Sequence, residues 1–144
     1  MNDLIFRNVN ILDGTGAPAF EGDVSVSAGR INEVGNVSEG LAPSGREIDA
    51  AGATLAPGLI DTHAHDDGAF FRYPGMEFKL AQGVTTVVSG NCGFSAIPAD
   101  PTQDSVAASG GILAGLEGQF TDLDGYFAAA LERQPAINNM MLVG

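Results

Sequence analysis

Val84 to Ser89, VTTVVS, restricts the fold more than any other segment of the chain, because five of its six residues are β-branched. Such side chains are stiff at χ1 and suit a pleated strand better than a helix. No charge interrupts the run, as expected of a strand covered on both faces, which is the situation of strands in parallel sheets. Its neighbours fit that setting. Gly58 to Thr62, GLIDT, reads as a short buried strand. Pro74 to Gln82 reads as a helix with proline in its first turn and Gly83 as its C-terminal cap. Downstream, Thr121 is the expected N-cap of a helix from Asp122 to about Arg133. That helix places Leu123, Tyr126, Phe127 and Leu131 at helical spacing and is stopped by Pro135. Met140 to Gly144 begins another apolar strand. Strand, helix, strand, helix, strand predicts a parallel α/β sheet or barrel. Gly90 to Thr121 is a long Gly/Ala/Pro/Ser region, more than a compact domain usually leaves without structure.

The chain before Pro57-Gly58 has a different pattern. Leu4 to Leu12 reads as a strand, followed by a turn at Asp13-Gly14-Thr15-Gly16. Asp23 to Ser27 alternates, and Ala28-Gly29 turns it into Arg30 to Val34, which together form a β-hairpin. Asn36 to Arg46, with Gly40, Pro43 and Gly45, reads as a loop. Glu47 to Ala50 and Ala53 to Leu55 are short strand candidates. The division is therefore a small β domain over 1–56 and an α/β part over 57–144.

A formal net charge of −12 sets the chain against phosphate backbones, so nucleic acid is not an expected partner. No Lys/Arg cluster offers itself to anionic lipid, and no apolar run approaches the roughly 20 residues of a membrane span. The start, MNDLIFRNVNIL, lacks a basic region followed by a long apolar stretch. Together with a single cysteine, Cys92, which fits a reducing compartment, this leads us to expect a cytoplasmic protein.

The chain's only two histidines form His63-x-His65 after an apolar strand. Residues i and i+2 of a strand point to the same side, so both imidazoles can face one point, and neutral imidazole is a common zinc ligand. The bland alternative is two polar residues at a strand end. The C-terminal end of a parallel strand, where barrel active sites lie, favours metal binding. Cys92 follows the next strand at the same end. A lone cysteine is usually an inert small residue in a packed loop, but the shared strand ends bring this one toward His63 and His65, and thiolate is a strong zinc ligand. Asp66 and Asp67 come next in sequence. Either can accept the free N–H of a ligating imidazole, or the pair can be a solvated acidic turn.

PGLIDTHAHDD, QGVTTVVSGNCG and the N-terminal GTGAPAF together resemble the amidohydrolase superfamily, and more closely its N-acyl-D-amino-acid deacylases, the D-aminoacylase group. HxH alone marks the superfamily; HAHDD followed about 25 residues later by GNCG is the more specific combination. The resemblance covers essentially the whole chain. It implies a (β/α)8 TIM-like barrel preceded by a small β-sandwich-like domain. It also implies His63, His65 and Cys92 as ligands of one or two divalent metals, zinc foremost, and a small-molecule N-acyl-D-amino acid as substrate. Metal chemistry of that kind makes hydroxide available near neutral pH and polarises the carbonyl, and a carboxylate carries the proton to the leaving amine.

A complete barrel needs about 250 residues. The chain is therefore expected to be the N-terminal part of such an enzyme, incomplete as a barrel. Its proton-carrying carboxylate and remaining ligands would lie beyond residue 144. Alone, it is expected to bind zinc weakly, to be inactive, and to self-associate through its exposed strand edge. A cyclic-amide hydrolase of the dihydropyrimidinase type also explains HxH but not GNCG. A non-catalytic metal-binding or interaction module is the reading from a different class.

Overall fold

The computed structural model describes residues 1–99, 111, 113, 116 and 120–143. The chain divides into two compact units, Met1–Pro57 and Gly58–Gly144. Most of the expected Gly/Ala/Pro/Ser region between Gly90 and Thr121 lies outside the described residues from position 100 onward.

In the first unit, β1 (Asn2–Ile11) is the centre of a sheet ordered β3-β2-β1-β4, with β5 (Thr54–Leu55) also pairing β1. β2 (Phe20–Ser27) runs antiparallel to β1, and β3 (Arg30–Gly35) antiparallel to β2. The expected hairpin turn is present. Ala28 and Gly29 both have positive φ, 49° and 72°, the two-residue geometry whose twist matches the flanking strands. Ile5, Val9, Ile11 and Val24 are buried on this sheet.

The loop expected over Asn36 to Arg46 is corrected by β4 (Leu41–Asp49), which pairs parallel to β1. Glycine and proline within 40–45 argue locally against a strand. The ladder absorbs them by an irregularity, since Asn2 pairs Leu41 while Leu4 pairs Arg46, so the surplus residues of β4 stand outside regular pairing.

β1 carries its own irregularity between Phe6 and Val9, where Asn8 takes φ 54°. The Asn8 N–H donates to Asp23 Oδ1 at 3.0 Å, and Arg7 Nη1 donates to Asp23 Oδ2 at 2.8 Å. These bonds, the arginine's first, hold the Asp23 carboxyl below the usual carboxylate range. A depressed folded-state pKa stabilises the fold above the unfolded value of about 3.9 and stops doing so as pH falls through the lower folded value. Asp23→Asn is therefore expected to lower the melting temperature at pH 7 by an amount that holds down to about pH 4 and shrinks below it. Thermal melts across pH check this; a penalty independent of pH would place the cost in packing instead of charge.

In the second unit, β6 (Leu59–Asp61), β7 (Val84–Ser89) and β8 (Asn138–Met141) form a parallel sheet in that order. The parallel arrangement expected from sequence is therefore present. Val87 and Ser89 of the central strand are fully buried and its other residues partly so. β6 was expected to be buried, but Leu59 and Ile60 are 59% and 60% exposed, because β6 is an edge strand with a neighbour on one side only.

Among the described residues three α-helices accompany the sheet: α1 (Ala69–Arg72), α2 (Glu77–Leu80) and α3 (Leu123–Glu132). The helix expected from Pro74 is cut to α2 because Met76, fully buried, takes a left-handed conformation (φ 46°) that no helix can pass through. α3 is capped one residue later than expected. Asp122 is extended and its Oδ1 accepts the Gly125 N–H at 2.8 Å, the bond an N-cap makes to the third helical residue. Leu131, placed at helical spacing by the sequence, is 67% exposed, whereas Tyr126 and Ala130 face the core. That core is aromatic, with Phe70, Phe71, Met76, Val87 and Tyr126 packed together and the Phe71 and Tyr126 rings 5.4 Å apart. Among the described residues no helix is long and apolar enough to cross a membrane.

Candidate metal centre

The His-x-His segment continues the sheet beyond β6. The Ala64 N–H donates to Val88 O at 3.0 Å, and the Ala64 side chain is buried in the core. Alternation then turns the residues on either side of Ala64 the other way. His63 and His65 accordingly sit together, with ring centroids 5.5 Å apart. His63 is exposed. His65 is partly buried with Phe94 against it edge-on, and its Nδ1 is buried with no hydrogen-bond partner among the described residues. A buried polar atom left unpaired costs about 1–3 kcal/mol, so this nitrogen is poised for a partner.

Cys92 arrives from the end of β7. Gly90 has φ 77°, and a Cβ there would run into the Leu142 carbonyl, so only glycine lets the chain turn so close to the end of β8. Asn91 Nδ2 then donates to Val88 O at 2.7 Å and to Ala64 O at 3.3 Å, stitching this turn to the histidine segment. Cys92 itself is left-handed (φ 58°, ψ 21°), a conformation that costs a side-chain-bearing residue about 1–2 kcal/mol. In that conformation its Sγ lies 3.2 Å from His63 Nε2.

The ligating atoms of His63, His65 and Cys92 all lie within 4.8 Å of one another. Two imidazole nitrogens and a thiol are a donor set suited to zinc, whose ligands stand about 2.0–2.3 Å from the ion. The converging geometry, the unpartnered His65 nitrogen and the strained Cys92 backbone all fit a bound divalent ion. The structure thus brings together the three residues that the sequence reading had grouped.

The two aspartates stand around this group with different partners. Asp67 is fully buried; its Oδ1 accepts the Ala96 N–H at 2.9 Å and its Oδ2 the Gly90 N–H at 3.3 Å. Its backbone carbonyl accepts the Tyr126 hydroxyl at 2.8 Å, and that hydroxyl accepts from Asn139 Nδ2 at 3.3 Å. Burial raises the Asp67 carboxyl above its usual pKa against the backbone bonds that lower it, and burial likewise raises that of Tyr126. Asp66 pairs with Lys79 at 2.9 Å. The described partners of these carboxylates are thus backbone amides and a lysine. Sequence reasoning missed Asn91, Tyr126 and Lys79 as parts of the site. A tyrosine on the core side of a helix is a usable signal, because a buried hydroxyl needs a partner; Lys79 offered none.

The sequence profile of the amidohydrolase family matches residues 46–129. N-acyl-D-glutamate deacylase from Alcaligenes xylosoxydans xylosoxydans is 43% identical over 142 residues, covering 99% of this chain and 28% of that protein. N-acyl-D-aspartate deacylase from the same organism is 48% identical over 96 residues, 67% of this chain and 19% of that protein. The crystal structure of N-acyl-D-glutamate deacylase from Bordetella bronchiseptica, complexed with zinc and a phosphonate inhibitor, superposes with a TM-score of 0.86. It is 42% identical and is matched over 99% of this chain and 29% of its own. D-aminoacylase, described with a binuclear metal centre, gives a TM-score of 0.74 at 37% identity, over 100% of this chain and 30% of its own. The chain therefore spans less than a third of the length of these relatives. With a profile matched over more than half its length and a mixed α/β fold shared with these structures, the chain belongs to the amidohydrolase family.

Proposed function

We propose that His63, His65 and Cys92 are ligands of a zinc centre in a hydrolase that cleaves the amide bond of N-acyl-D-amino acids, releasing a carboxylate and a free D-amino acid. In this reading β6, β7 and β8 are the first strands of a (β/α)8 barrel. Residues 1–56 belong to a small β-sandwich-like domain, and 57–144 to the barrel. The observation that carries the reading is the convergence of two imidazoles and a thiol, within 4.8 Å, past the C-terminal ends of two adjacent parallel strands. The substrate class rests on the likeness to the glutamate and aspartate deacylases.

Bound zinc would act as a Lewis acid toward the amide carbonyl and make hydroxide available near neutral pH. The chain's own residues would hold and aim it. His63 and His65 would hold it through imidazole nitrogens and Cys92 through its sulfur, while Phe94 packs edge-on against His65. Asp67 fixes the turn that presents the sulfur, by holding Gly90 and Ala96 on either side of it. We assign the proton carrier to none of these residues.

Expression of the complete reading frame, followed by assay against N-acetyl-D-glutamate and its L enantiomer, tests the reading. The expected result is release of free D-glutamate, loss of activity on chelation and recovery with zinc. Preference for the L enantiomer, or turnover indifferent to chelation, would overturn it.

A further inference from the structure

Lys79 sits on α2, the second short helix after the histidine segment, and its side chain is only 16% exposed. Its ammonium lies 2.7 Å from Asp61 Oδ2 and 2.9 Å from Asp66 Oδ2. Asp61 is the last residue of β6, and Asp66 directly follows His65. The two carboxylates therefore bracket the tetrapeptide Thr62-His63-Ala64-His65, and one cation holds both ends of it. Asp61 has a second role, because its Oδ1 accepts the His63 N–H at 3.2 Å. Within the tetrapeptide, the Ala64 N–H is fixed to β7 through Val88 O at 3.0 Å.

We propose that Lys79 is a positioning residue for the metal centre: by bridging Asp61 and Asp66 it sets the backbone of the His63–His65 segment so that both imidazoles meet Cys92. The inference rests on the ligand assignment proposed above. Half-buried carboxylates without a cation would turn toward water or toward another cation. With Lys79 in place, Asp61 and Asp66 are spoken for, and neither is released to swing the segment or to enter the ligand set. The ammonium donates a hydrogen bond to Asp61 and stands against Asp66 as an ion pair, so one charge serves both ends of the segment.

The sign of the effect separates positioning from charge. Removing a cation near a cation site should by Coulomb's law tighten metal binding. Losing a brace that orients ligands should loosen it, by about 10–100-fold where such supporting contacts have been removed. The experiment is titration of this chain with cobalt(II), read through the thiolate-to-metal and ligand-field absorption bands, for wild type, Lys79→Met, Lys79→Arg and Asp61→Asn. Asparagine at 61 keeps the acceptor for His63 N–H and breaks the lysine arm; because it also removes a negative charge, its ligand-field bands and not its loss of affinity test the bridge should Lys79→Met not fold. The expected result is cobalt affinity about 10–100-fold weaker in Lys79→Met and Asp61→Asn, altered ligand-field bands, and substantial recovery in Lys79→Arg, which keeps charge and reach. Unchanged or tighter binding with the wild-type spectrum in a folded Asp61→Asn or Lys79→Met protein would overturn the positioning role and leave the ligand assignment standing. Wild-type protein without cobalt absorption, or with absorption indifferent to Cys92→Ala, would overturn both.

Discussion

Removing a single ligand should nearly abolish zinc binding. Zinc sites in small folded peptides are worth roughly 10–16 kcal/mol spread over four ligands, so one ligand accounts for about 3 kcal/mol, or a hundredfold or more in affinity. His65→Ala, His63→Ala and Cys92→Ala are each expected to show that loss in competition against a chelating dye. Cys92→Gly is the informative control. Glycine keeps the left-handed turn (φ 58°) without the steric cost, so it takes away the sulfur and relieves strain at once. Its melting temperature without metal should be at or near that of the wild type while its zinc affinity falls with that of Cys92→Ala. A strained residue whose relief costs binding but not stability is held for function. Wild-type affinity in a folded Cys92→Gly protein would remove the thiol from the centre.

Asp67→Ala is expected to be the most damaging substitution for the fold of the second unit. Its carboxylate is fully buried and accepts the Gly90 and Ala96 amides, which would both be left unpaired. Each such loss costs about 1–3 kcal/mol, so the sum of about 2–6 kcal/mol is a large part of a typical domain's 5–15 kcal/mol. Asp67→Asn should cost less, because its amide oxygen still serves one of the two donors. Chemical denaturation curves give the comparison. Since Gly90 and Ala96 flank Cys92, a folded Asp67→Asn protein should also bind zinc more weakly than wild type. A change below about 0.5 kcal/mol for Asp67→Ala, the range of ordinary surface substitutions, would mean that the two amides find other partners.

The chemistry of the chain was legible in its sequence where the signal was local. Five β-branched residues in VTTVVS made β7 a strand, because χ1 stiffness is a property of each residue. The alternation of His63 and His65 about Ala64 followed from the two-residue period of a strand. Ala28-Gly29 announced its hairpin, because few residue pairs accept two positive φ values. Motifs of this kind carry their own physics and need no neighbour to be read.

The tertiary structure decided what depends on partners distant in sequence. β4 is a strand despite Gly40, Pro43 and Gly45, because β1 supplies a ladder that outweighs weak local propensity and absorbs the surplus residues as an irregularity. α2 is short because Met76 turns left-handed into the core, a preference of the packing and not of methionine. Leu59 and Ile60 are apolar yet exposed, because burial is set by position in the sheet and β6 is at its edge. The aspartates were visible as a pair after the histidines, but only folding shows that Asp67 holds the Cys92 turn while Asp66 and Asp61 share Lys79. Sequence singles out the candidate ligands because His63-x-His65 lies within one segment and Cys92 directly follows the next strand. The contacts of Lys79, Asp67 and Tyr126 that support them join positions 13 to 59 residues apart, and contacts at such separations exist only once the chain has folded.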